Sequence, residues 1–368
     1  MNTSDKRGPL AATRKARLLE ALQRDGVLRI SDLTDTLGAA AVTIRRDIAQ
    51  LAAEGLVERV HGGVALPSPM PSADPPDGDD AGAIGMLVPS LDYYWPAVAR
   101  GAESAAREML MRVVLRGSSY VTEDDQPQLA RLVEQGVEGL IVAPRMDVPS
   151  ASRTTDWLAD TGMPVVLVER TATAGPHHAV LESVVTDHSL GAAMAVRHLA
   201  GLGHRKVGLV LAKPSPTGPH VRRGWLEGAA ECGLDVTTTV DTLVPDAPDP
   251  GCAAALDEVL EQCLSTGTTA LLVHADAEAI ALVQRCEERG LAVPGALSVV
   301  SYDDEVAGLF SPALTAVRPP CSEIGRAAVR LILDRLNEPD RPTHRIVISP
   351  ALRVRDSSAA PRVSRPPG

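Results

Sequence analysis

Aromatic residues are scarce in this chain: phenylalanine, tryptophan and tyrosine together make up 2% of its 368 residues. Cysteine is scarce as well, and the cysteines form no CxxC pair. They are Cys232, Cys252, Cys263, Cys286 and Cys321. Scattered single cysteines argue against a disulfide framework and against a zinc site. We therefore expect buried free thiols, and neither a metal nor a cofactor.

Hydrophobic runs long enough to cross a membrane are also missing. No stretch reaches the roughly 18 apolar residues that a membrane helix needs. Residues 1–20 are polar and basic, unlike the apolar core of a signal peptide. We therefore expect a cytoplasmic protein that does not interact with a membrane.

Positive charge is in deficit over the whole chain, whose net charge is −11. The distribution is uneven, because residues 1–66 hold ten Lys and Arg against eight Asp and Glu. An acidic body with a mildly basic head suits a protein that contacts nucleic-acid phosphates with one end only.

A proline- and aspartate-rich segment divides the chain. Residues 67–81 (PSPMPSADPPDGDDA) show no apolar periodicity and predict an extended linker. This linker separates a head (residues 1–66) from a body (residues 82–358), and we expect residues 359–368 to form a disordered tail.

The body alternates short apolar runs with helical segments. The apolar runs cover residues 83–89, 112–115, 139–143, 164–168, 206–211, 269–273 and 297–300. Runs without polar alternation are typical of strands that are buried on both faces of a parallel sheet. Helical segments lie between them at 97–108, 127–135, 189–201, 224–231, 277–290 and 322–336. This order predicts a doubly wound α/β fold, in which ligands bind beyond the carboxyl ends of the strands.

The head contains the pattern of three helices. Apolar stripes mark the first helix (Leu18, Leu19, Leu22), the second (Leu33, Leu37) and the third (Ile44, Ile48, Leu51). In the third helix, about residues 42–53, the side opposite the stripe carries Thr43, Arg46 and Gln50, with Arg45 beside them. Arginine can donate two hydrogen bonds to guanine and glutamine can pair with adenine. We expect this face to enter the major groove of operator DNA; the alternative is an ordinary solvated helix face.

A predicted hairpin, the wing, follows the third helix. Residues 56–59 and 64–66 flank a His-Gly-Gly turn at residues 61–63. The run VTIRRDIAQLAAEGLVERVHGGVAL closely resembles the DNA-binding head of the DeoR family, and the resemblance covers residues 14–66. It implies a winged helix-turn-helix in which Thr43, Arg45 and Arg46 face DNA, and in which Arg59 and His61 lie in or near the wing.

The few aromatic residues of the body cluster at predicted strand ends. Tyr93, Tyr94 and Trp95 follow the first strand, and Trp225 and Tyr302 lie near the ends of later strands. Ring faces stack on the apolar C–H faces of sugars and on bases. We therefore expect these rings to contact a ligand; the alternative is that they fill the core.

Charged residues lie beside the rings. Asp92 precedes them, Arg170 ends the fourth predicted strand, and Asp276 and Asp303 follow later strands. Carboxylates and guanidinium groups form bidentate hydrogen bonds with vicinal hydroxyls. We expect these residues to bind a ligand, although Asp276 could instead cap a helix.

Several stretches of the body resemble the effector domain of the LacI/GalR family, which is similar to periplasmic sugar-binding proteins. They include MPVVLVER, GLGHRKVGLV and LSVVSYDDEVAGLFSPALTAVRPP, and the resemblance runs from about residue 83 to residue 358. It implies a periplasmic-binding-protein-like (type I) domain of two lobes that the chain crosses near Val185, Thr315 and Arg341. The first lobe would hold residues 83–185 and 315–340, and the second residues 186–314 and 341–358.

The same resemblance implies a ligand between the lobes, with residues 93–95, Arg170 and Asp303 at ligand-contact positions. The sequence departs from the family at His188 and Ala275, where the family has asparagines. The family's sugar-contacting arginine is replaced by Val221, with Arg222 and Arg223 displaced beside it. We place Arg222 among the ligand contacts.

Three classes of protein compete. A secreted or other solute-binding protein would account for the body alone. An enzyme would need a catalytic motif, and no GxSxG, HExxH, P-loop or GxGxxG lies at a strand–helix turn. A ligand-responsive regulator accounts for head, linker and body together. We predict a non-enzymatic repressor of carbohydrate-utilisation genes that binds operator DNA as a homodimer and a sugar-like effector between its lobes. A non-sugar effector such as a nucleoside is the alternative.

Overall fold

A computed structural model gives the fold of the chain. It describes residues 82–91, 94–118, 124–213, 215–247 and 249–361, and in the head Leu18, Ala21, Leu22, residues 27–29, Ile44, Ile48, Leu51 and residues 58–60 and 63–65. The chain divides into two compact units, Met1–Ala81 and Gly82–Gly368.

The first unit has helical segments and a small antiparallel sheet. Its strands are β1 (Val27–Arg29), β2 (Glu58–Val60) and β3 (Gly63–Ala65), in the order β1-β3-β2. The antiparallel pair of β2 and β3 forms the predicted wing. Strand β1, which pairs with β3, is an addition to the predicted hairpin.

The core of the first unit matches two of the predicted apolar stripes. Leu18 and Leu22 from one helical segment, and Ile44, Ile48 and Leu51 from another, are at most 3% exposed. Burial of each such side chain stabilises a fold by about 1.5–3 kcal/mol. The predicted second helix lies outside the described residues.

In the second unit, the first lobe is built on a six-stranded sheet in which every neighbouring pair is parallel. Its order is β16-β10-β7-β6-β4-β5. The strands are β4 (Ala83–Val88), β5 (Arg112–Gly117), β6 (Gly139–Val142), β7 (Val165–Val168), β10 (Glu182–Thr186) and β16 (Arg345–Ile348). Helices α1 (Tyr94–Glu108) and α8 (Cys321–Asn337) cover one face, and α2 (Gln126–Glu134) and α3 (Ala151–Asp160) cover the other. A two-stranded hairpin, β8 (Thr173–Ala174) with β9 (Ala179–Val180), is added to this lobe.

The second lobe repeats this plan. Its sheet has the order β12-β11-β13-β14-β15-β17 and is parallel except for β17. The strands are β11 (Val207–Lys213), β12 (Asp241–Pro245), β13 (Ala270–His274), β14 (Ser298–Tyr302), β15 (Thr315–Arg318) and β17 (Ala351–Arg353). Helices α4 (His188–Gly201) and α5 (Gly218–Glu231) cover one face, and α6 (Cys252–Thr266) and α7 (Asp276–Glu288) cover the other. A 3₁₀-helix, Ala307–Leu309, follows β14.

Strand β4 shows why apolar runs without alternation become central strands. All six of its residues are buried. Ile84, Met86 and Val88 face the core under α1 and α8, while Ala83 and Leu87 face the opposite core. Since both faces are covered by helices, neither face has room for a polar side chain. The predicted doubly wound α/β architecture is confirmed.

The chain crosses between the lobes three times. The first crossing, at Asp187, lies two residues after Val185. The second follows Arg318 rather than Thr315, because Thr315 begins β15 and pairs with Val300 of β14. The third lies between β16 and β17, well after Arg341, because β16 pairs with β10 and so belongs to the first lobe.

Two helix pairs approach closely at glycines. A Cβ at Gly224 of α5 would lie 1.9 Å from the carbonyl oxygen of Ser189 in α4. A Cβ at Gly325 of α8 would lie 2.0 Å from the carbonyl oxygen of Val98 in α1. Any larger residue would force these helices apart.

Two further findings bear on the expected class of protein. The five cysteines are free thiols, three of them buried. Within the described parts of the chain, no helix has the length and apolar character that would span a membrane.

Candidate ligand-binding site

A cleft of about 760 Å³ lies between the two lobes of the second unit. Its walls come from the segments that follow β6, β7 and β10 in the first lobe, from β16, and from the segment that leads into α5 in the second lobe. The lining residues are Arg145, Met146, Asp147, Glu169, Arg170, Thr171, Val185, Thr186, Asp187, His188, Ser215, Pro216, Thr217, Pro219, His220, Arg223, Arg345 and Val347.

Another cavity, of about 440 Å³, lies in the first lobe at the amino ends of β7 and β10. It is lined mainly by apolar residues such as Met163, Val180 and Leu181. Ligands of open parallel sheets bind at the carboxyl ends of the strands. The interlobe cleft, which lies at those ends, is therefore the candidate site.

Glu169 is the centre of a polar network in the cleft. It follows β7 with a positive φ of 55°, and its carboxylate accepts hydrogen bonds from the Thr186 amide (3.1 Å), the Thr186 hydroxyl (2.7 Å) and the Tyr94 hydroxyl. Nε2 of His188 lies 3.2 Å from its Oε2. Burial acts to raise the pKa of Glu169, but the bonds from His188, Tyr94 and Thr186 hold it below its ordinary value.

His188 joins this network to the second lobe. It is the first residue of α4, directly after the first crossing. Its Nδ1 lies 3.0 Å from the hydroxyl of Tyr302, at the end of β14. That hydroxyl also donates to the backbone carbonyl of His188 (3.3 Å). A continuous line of polar contacts therefore runs from Tyr94 in the first lobe to Tyr302 in the second.

Asp303 lies next to this network with a positive φ of 94°. Its carboxylate makes no hydrogen bond or ion pair with any residue that the structure describes. Burial, and then the charge of Asp276, raise the pKa of Asp303 to about 7, while the charge of His188 lowers it. Burial and the charge of Asp303 raise the pKa of Glu305 to about 7 as well. A half-buried carboxyl without a partner among the described residues is suited to a ligand hydroxyl or other donor.

Four predicted ligand contacts lie in or beside the cleft. Arg170 lines it, while Tyr94, Tyr302 and Asp303 belong to or adjoin the Glu169 network. Tyr302 is fully buried, so only its hydroxyl takes part in the network. Burial and the charge of Glu169 raise the pKa of Tyr94 well above its ordinary value, so its hydroxyl stays protonated and donates.

Four other predicted contacts have structural roles instead. Trp95 is 4% exposed in the core of the first lobe, and Trp225 is 1% exposed in the core of the second, where its Nε1 donates to the Val207 carbonyl (3.0 Å). Arg222 points away from the cleft lining and pairs with Asp241 at 2.8 Å. Asp276 accepts from Ser301 and from three backbone amides at residues 305–307, so it holds that turn.

The remaining predicted site residues lie outside the described part of the chain. They are Asp92 and Tyr93 in the body, and Thr43, Arg45, Arg46, Gln50 and His61 in the head. The backbone of Arg59 lies in β2, and its side chain is outside the described part.

Several cleft residues were not predicted from the sequence, among them Glu169, Thr186, His220, Arg223 and Arg345. Glu169 directly precedes the predicted contact Arg170 at the end of β7. The rule that ligands bind beyond strand ends applies to both residues equally. No comparable signal in the sequence marks Arg345, which lies on the added strand β16.

The chain is similar to two families of protein domains and to known transcriptional regulators. The model of the periplasmic binding protein-like domain family matches residues 196–358, and the model of the DeoR-like helix-turn-helix domain matches residues 14–70. An uncharacterised HTH-type transcriptional regulator in the aml 5′ region of Streptomyces limosus is 32% identical over 293 residues, which cover 76% of this chain and 79% of the relative. The HTH-type transcriptional regulator MalR of Streptomyces coelicolor is 30% identical over 295 residues (76% and 81%).

The chain is also similar to solved structures of transcriptional regulators. A LacI family transcriptional regulator from Mycobacterium smegmatis aligns with a TM-score of 0.61 and 25% identity over 76% of this chain and all of that one. The chain belongs to the LacI family of transcriptional regulators. As a LacI-family member it is a ligand-responsive regulator, and its relatives are regulators rather than enzymes. An arabinose metabolism transcriptional repressor from Geobacillus stearothermophilus, 25% identical over 86% of each chain, belongs to the same set.

Proposed function

We propose that this LacI-family regulator represses carbohydrate-utilisation genes, with its head on operator DNA and a sugar-like effector in the interlobe cleft. The observation that carries the proposal is the cleft itself. Both lobes line it, and the Glu169 network passes through it where the chain first crosses. A ligand held there contacts both lobes, so it can change the population of open and closed forms.

The polar groups at the cleft suit a polyhydroxylated ligand. The Asp303 carboxyl has no partner among the described residues, and Arg170 lines the cavity beside Glu169. Carboxylates and guanidinium groups pair with neighbouring hydroxyls through two hydrogen bonds at once. The arabinose metabolism transcriptional repressor among the relatives supports a sugar as the effector of this chain.

The head supplies the DNA-binding part of the proposal. Ile44, Ile48 and Leu51 are buried, and the helical periodicity of the sequence predicts Thr43, Arg46 and Gln50 on the side opposite to them. We assign it as a DeoR-type winged helix-turn-helix, in keeping with the family model that matches residues 14–70. In this account the chain acts in the cytoplasm as a homodimer, and its two heads read two half-sites of one operator.

Two assays of the full chain test this function. The operator is first selected from a pool of random-sequence DNA, and its affinity is then measured for the wild type, for Arg46→Ala and for the control Arg330→Ala, which changes an exposed residue of the body. A base contact is worth about 1–3 kcal/mol, so Arg46→Ala should weaken operator binding at least about ten-fold while the control does not. Equal operator affinity in all three proteins would show that Arg46 does not read DNA.

The second assay is a thermal-shift screen of mono- and oligosaccharides, with nucleosides included. A bound effector raises the melting temperature by mass action. We expect at least one sugar to stabilise the body. Stabilisation by nucleosides alone would contradict a sugar effector.

A further inference from the structure

We propose that the effector is an anionic sugar, one that carries a phosphate or carboxylate group, and that arginines from both lobes hold this group. The inference rests on the proposed function, because it names the chemical class of the effector for the same cleft. Four arginines carry it: Arg145, Arg170 and Arg345 line the first-lobe wall, and Arg223 lines the second-lobe wall.

Arg345 is the lining arginine with the fewest protein partners among the described residues. It is the first residue of β16, and it is exposed. Its guanidinium forms no hydrogen bond or ion pair with any residue in the described part of the chain. A guanidinium that lines a ligand cleft without a protein partner offers a planar pair of donors to a phosphate or carboxylate.

Arg223 extends the cationic wall to the second lobe. Its Nε donates to the Ser189 hydroxyl (2.8 Å), which holds the side chain against α4. Among the described residues it forms an ion pair only with Glu227, at 3.8 Å between side chains that are 60% and 56% exposed. Such an exposed and distant pair is worth little, so Arg223 keeps most of its capacity for an anion.

The acidic residues of the lining do not offset these charges in the same way, because each already has protein partners. Asp147 binds Arg145 through two hydrogen bonds of 3.1 and 2.8 Å. Glu169 is surrounded by the donors described above, and Asp187 accepts from the Leu190 amide (2.9 Å) as the cap of α4. These three carboxylates therefore bind protein donors, while Arg345 and Arg223 remain for a ligand; Asp303, which has no partner among the described residues, is not part of the lining.

The start of α5 adds to the positive potential. This 14-residue helix begins at the cleft lining, where the Gly218 amide donates to the Ser215 hydroxyl (3.2 Å) and Pro219 has no N–H. It therefore contributes the field of the helix dipole and not a free amide. The amino end of a helix carries partial positive charge and favours anions. His220 lies in the first turn, and its pKa is lowered by burial first and then by the charges of His188, Arg223 and Arg170, while Glu169 raises it.

An anion between Arg345 and Arg223 would also explain how the effector acts on the lobes. The two cations lie on opposite walls of the cleft and repel each other, so without a ligand their charges oppose closure. A phosphate or carboxylate that pairs with both would favour closure, and a neutral sugar would lack this contribution. The negative charge of the effector therefore favours the closed form.

Calorimetric titration of the full chain with matched pairs of sugars tests the inference. The pairs are ribose with ribose 5-phosphate, glucose with glucose 6-phosphate, and glucose with gluconate and glucuronate; inorganic phosphate is measured alone. We expect one anionic sugar to bind at least about ten-fold more tightly than its neutral parent and than inorganic phosphate, since charge-assisted hydrogen bonds are the stronger ones. The phosphate and carboxylate arms identify which anion is recognised.

Three other results would overturn the inference, and they are distinguishable from one another. Equal or tighter binding of a neutral parent refutes the anionic effector but leaves the proposed function standing. Equal binding of inorganic phosphate shows that the sugar part contributes nothing. Binding of no sugar of either kind refutes the proposed sugar effector as well.

Two single substitutions test which arginines bind the anionic group. Arg345→Gln and Arg223→Gln should each remove about ten-fold of the affinity for the anionic sugar and leave any binding of its neutral parent within two-fold. Arg330→Gln, an exposed arginine of α8 outside the cleft lining, is the matched control. An unchanged preference for the anionic sugar in both cleft variants would refute the assignment to these arginines.

Discussion

Oε2 of Glu169 lies 3.2 Å from Nε2 of His188, and their side chains are only 4% and 9% exposed. The contact joins the end of β7 in the first lobe to the first residue of α4 in the second. Removing two polar groups from water is costly unless further hydrogen bonds satisfy them. Tyr94, Thr186 and Tyr302 supply those bonds, so the first crossing between the lobes is held by a complete polar network.

Glu169→Gln should destabilise the body by about 1–3 kcal/mol near neutral pH, because it leaves His188 and Tyr94 with a poorer acceptor. The pKa of Glu169 is lowered in the folded protein. Its ionised form therefore stabilises the fold above the ordinary glutamate pKa, and this contribution is lost as the pH falls through the folded value. Urea unfolding of wild type and variant should show a difference near neutrality that shrinks below about pH 4.

The exposed Glu134 of α2 gives the matched control, Glu134→Gln, which we expect to leave the unfolding free energy unchanged. An equal loss of stability for Glu169→Gln at neutral and acidic pH would argue that shape, and not charge, explains the role of this residue.

Asp303→Asn should make the body more stable at alkaline pH. The folded pKa of Asp303 is raised to about 7 from an ordinary value of 3.8. Between these values the folded state binds more protons than the unfolded state, so wild-type stability falls as the pH rises through this window. The variant lacks this titration and should exceed the wild type by about 1–3 kcal/mol at about pH 8.

Chemical unfolding of both proteins across this pH range provides the check. The advantage of Asp303→Asn should vanish at about pH 4, where the carboxyl is protonated in the folded state. A constant difference at every pH would show that folding does not raise the pKa of Asp303.

Gly224→Ala should destabilise the second lobe by about 2 kcal/mol or more, because its Cβ would overlap the Ser189 carbonyl and push α4 from α5. Gly201→Ala is the matched control in α4, since a Cβ there meets nothing within 4 Å. The control should be neutral, or stabilising by up to about 1 kcal/mol. Equal melting temperatures for the two variants would contradict the close packing of these helices.

Trp225→Phe should lower stability by about 1–3 kcal/mol, because the phenyl ring leaves a void and loses the bond to the Val207 carbonyl. Affinity for the sugar that binds the wild type should stay within about two-fold, since the indole is buried in the core. Arg170→Gln, in the cleft lining, should do the reverse and weaken sugar binding about ten-fold. A large loss of affinity in Trp225→Phe would restore the role in ligand binding that the sequence predicted.

The sequence predicted the central strands well and the peripheral ones poorly, for a physical reason. Runs such as residues 83–89 are apolar throughout because both faces of the strand are covered. The edge strand β12 is half exposed and mixes polar with apolar residues. The amino end of β10 holds Glu182, which binds Arg335 and Arg341, so its sequence resembles a surface loop.

The site shows a similar division. The predicted ends of the strands indicated where the cleft lies. Its polar network, however, joins residues that are far apart in the sequence: Tyr94 and Glu169 are 75 residues apart, and His188 and Tyr302 are 114 residues apart. One sequence does not reveal such pairs. Arg222 and Arg223 differ by one helical step of about 100°, and that step decides which of them reaches the cleft.

Operator affinity of the full chain, measured by fluorescence anisotropy with and without a saturating sugar identified in the thermal-shift screen, tests the central claim most directly. The claim predicts a change in operator Kd of at least about ten-fold in the wild type. In Asp303→Asn, operator binding without sugar should be unchanged and the response to sugar lost. An operator Kd that stays the same at saturating sugar in the wild type would contradict the claim that the interlobe cleft controls DNA binding.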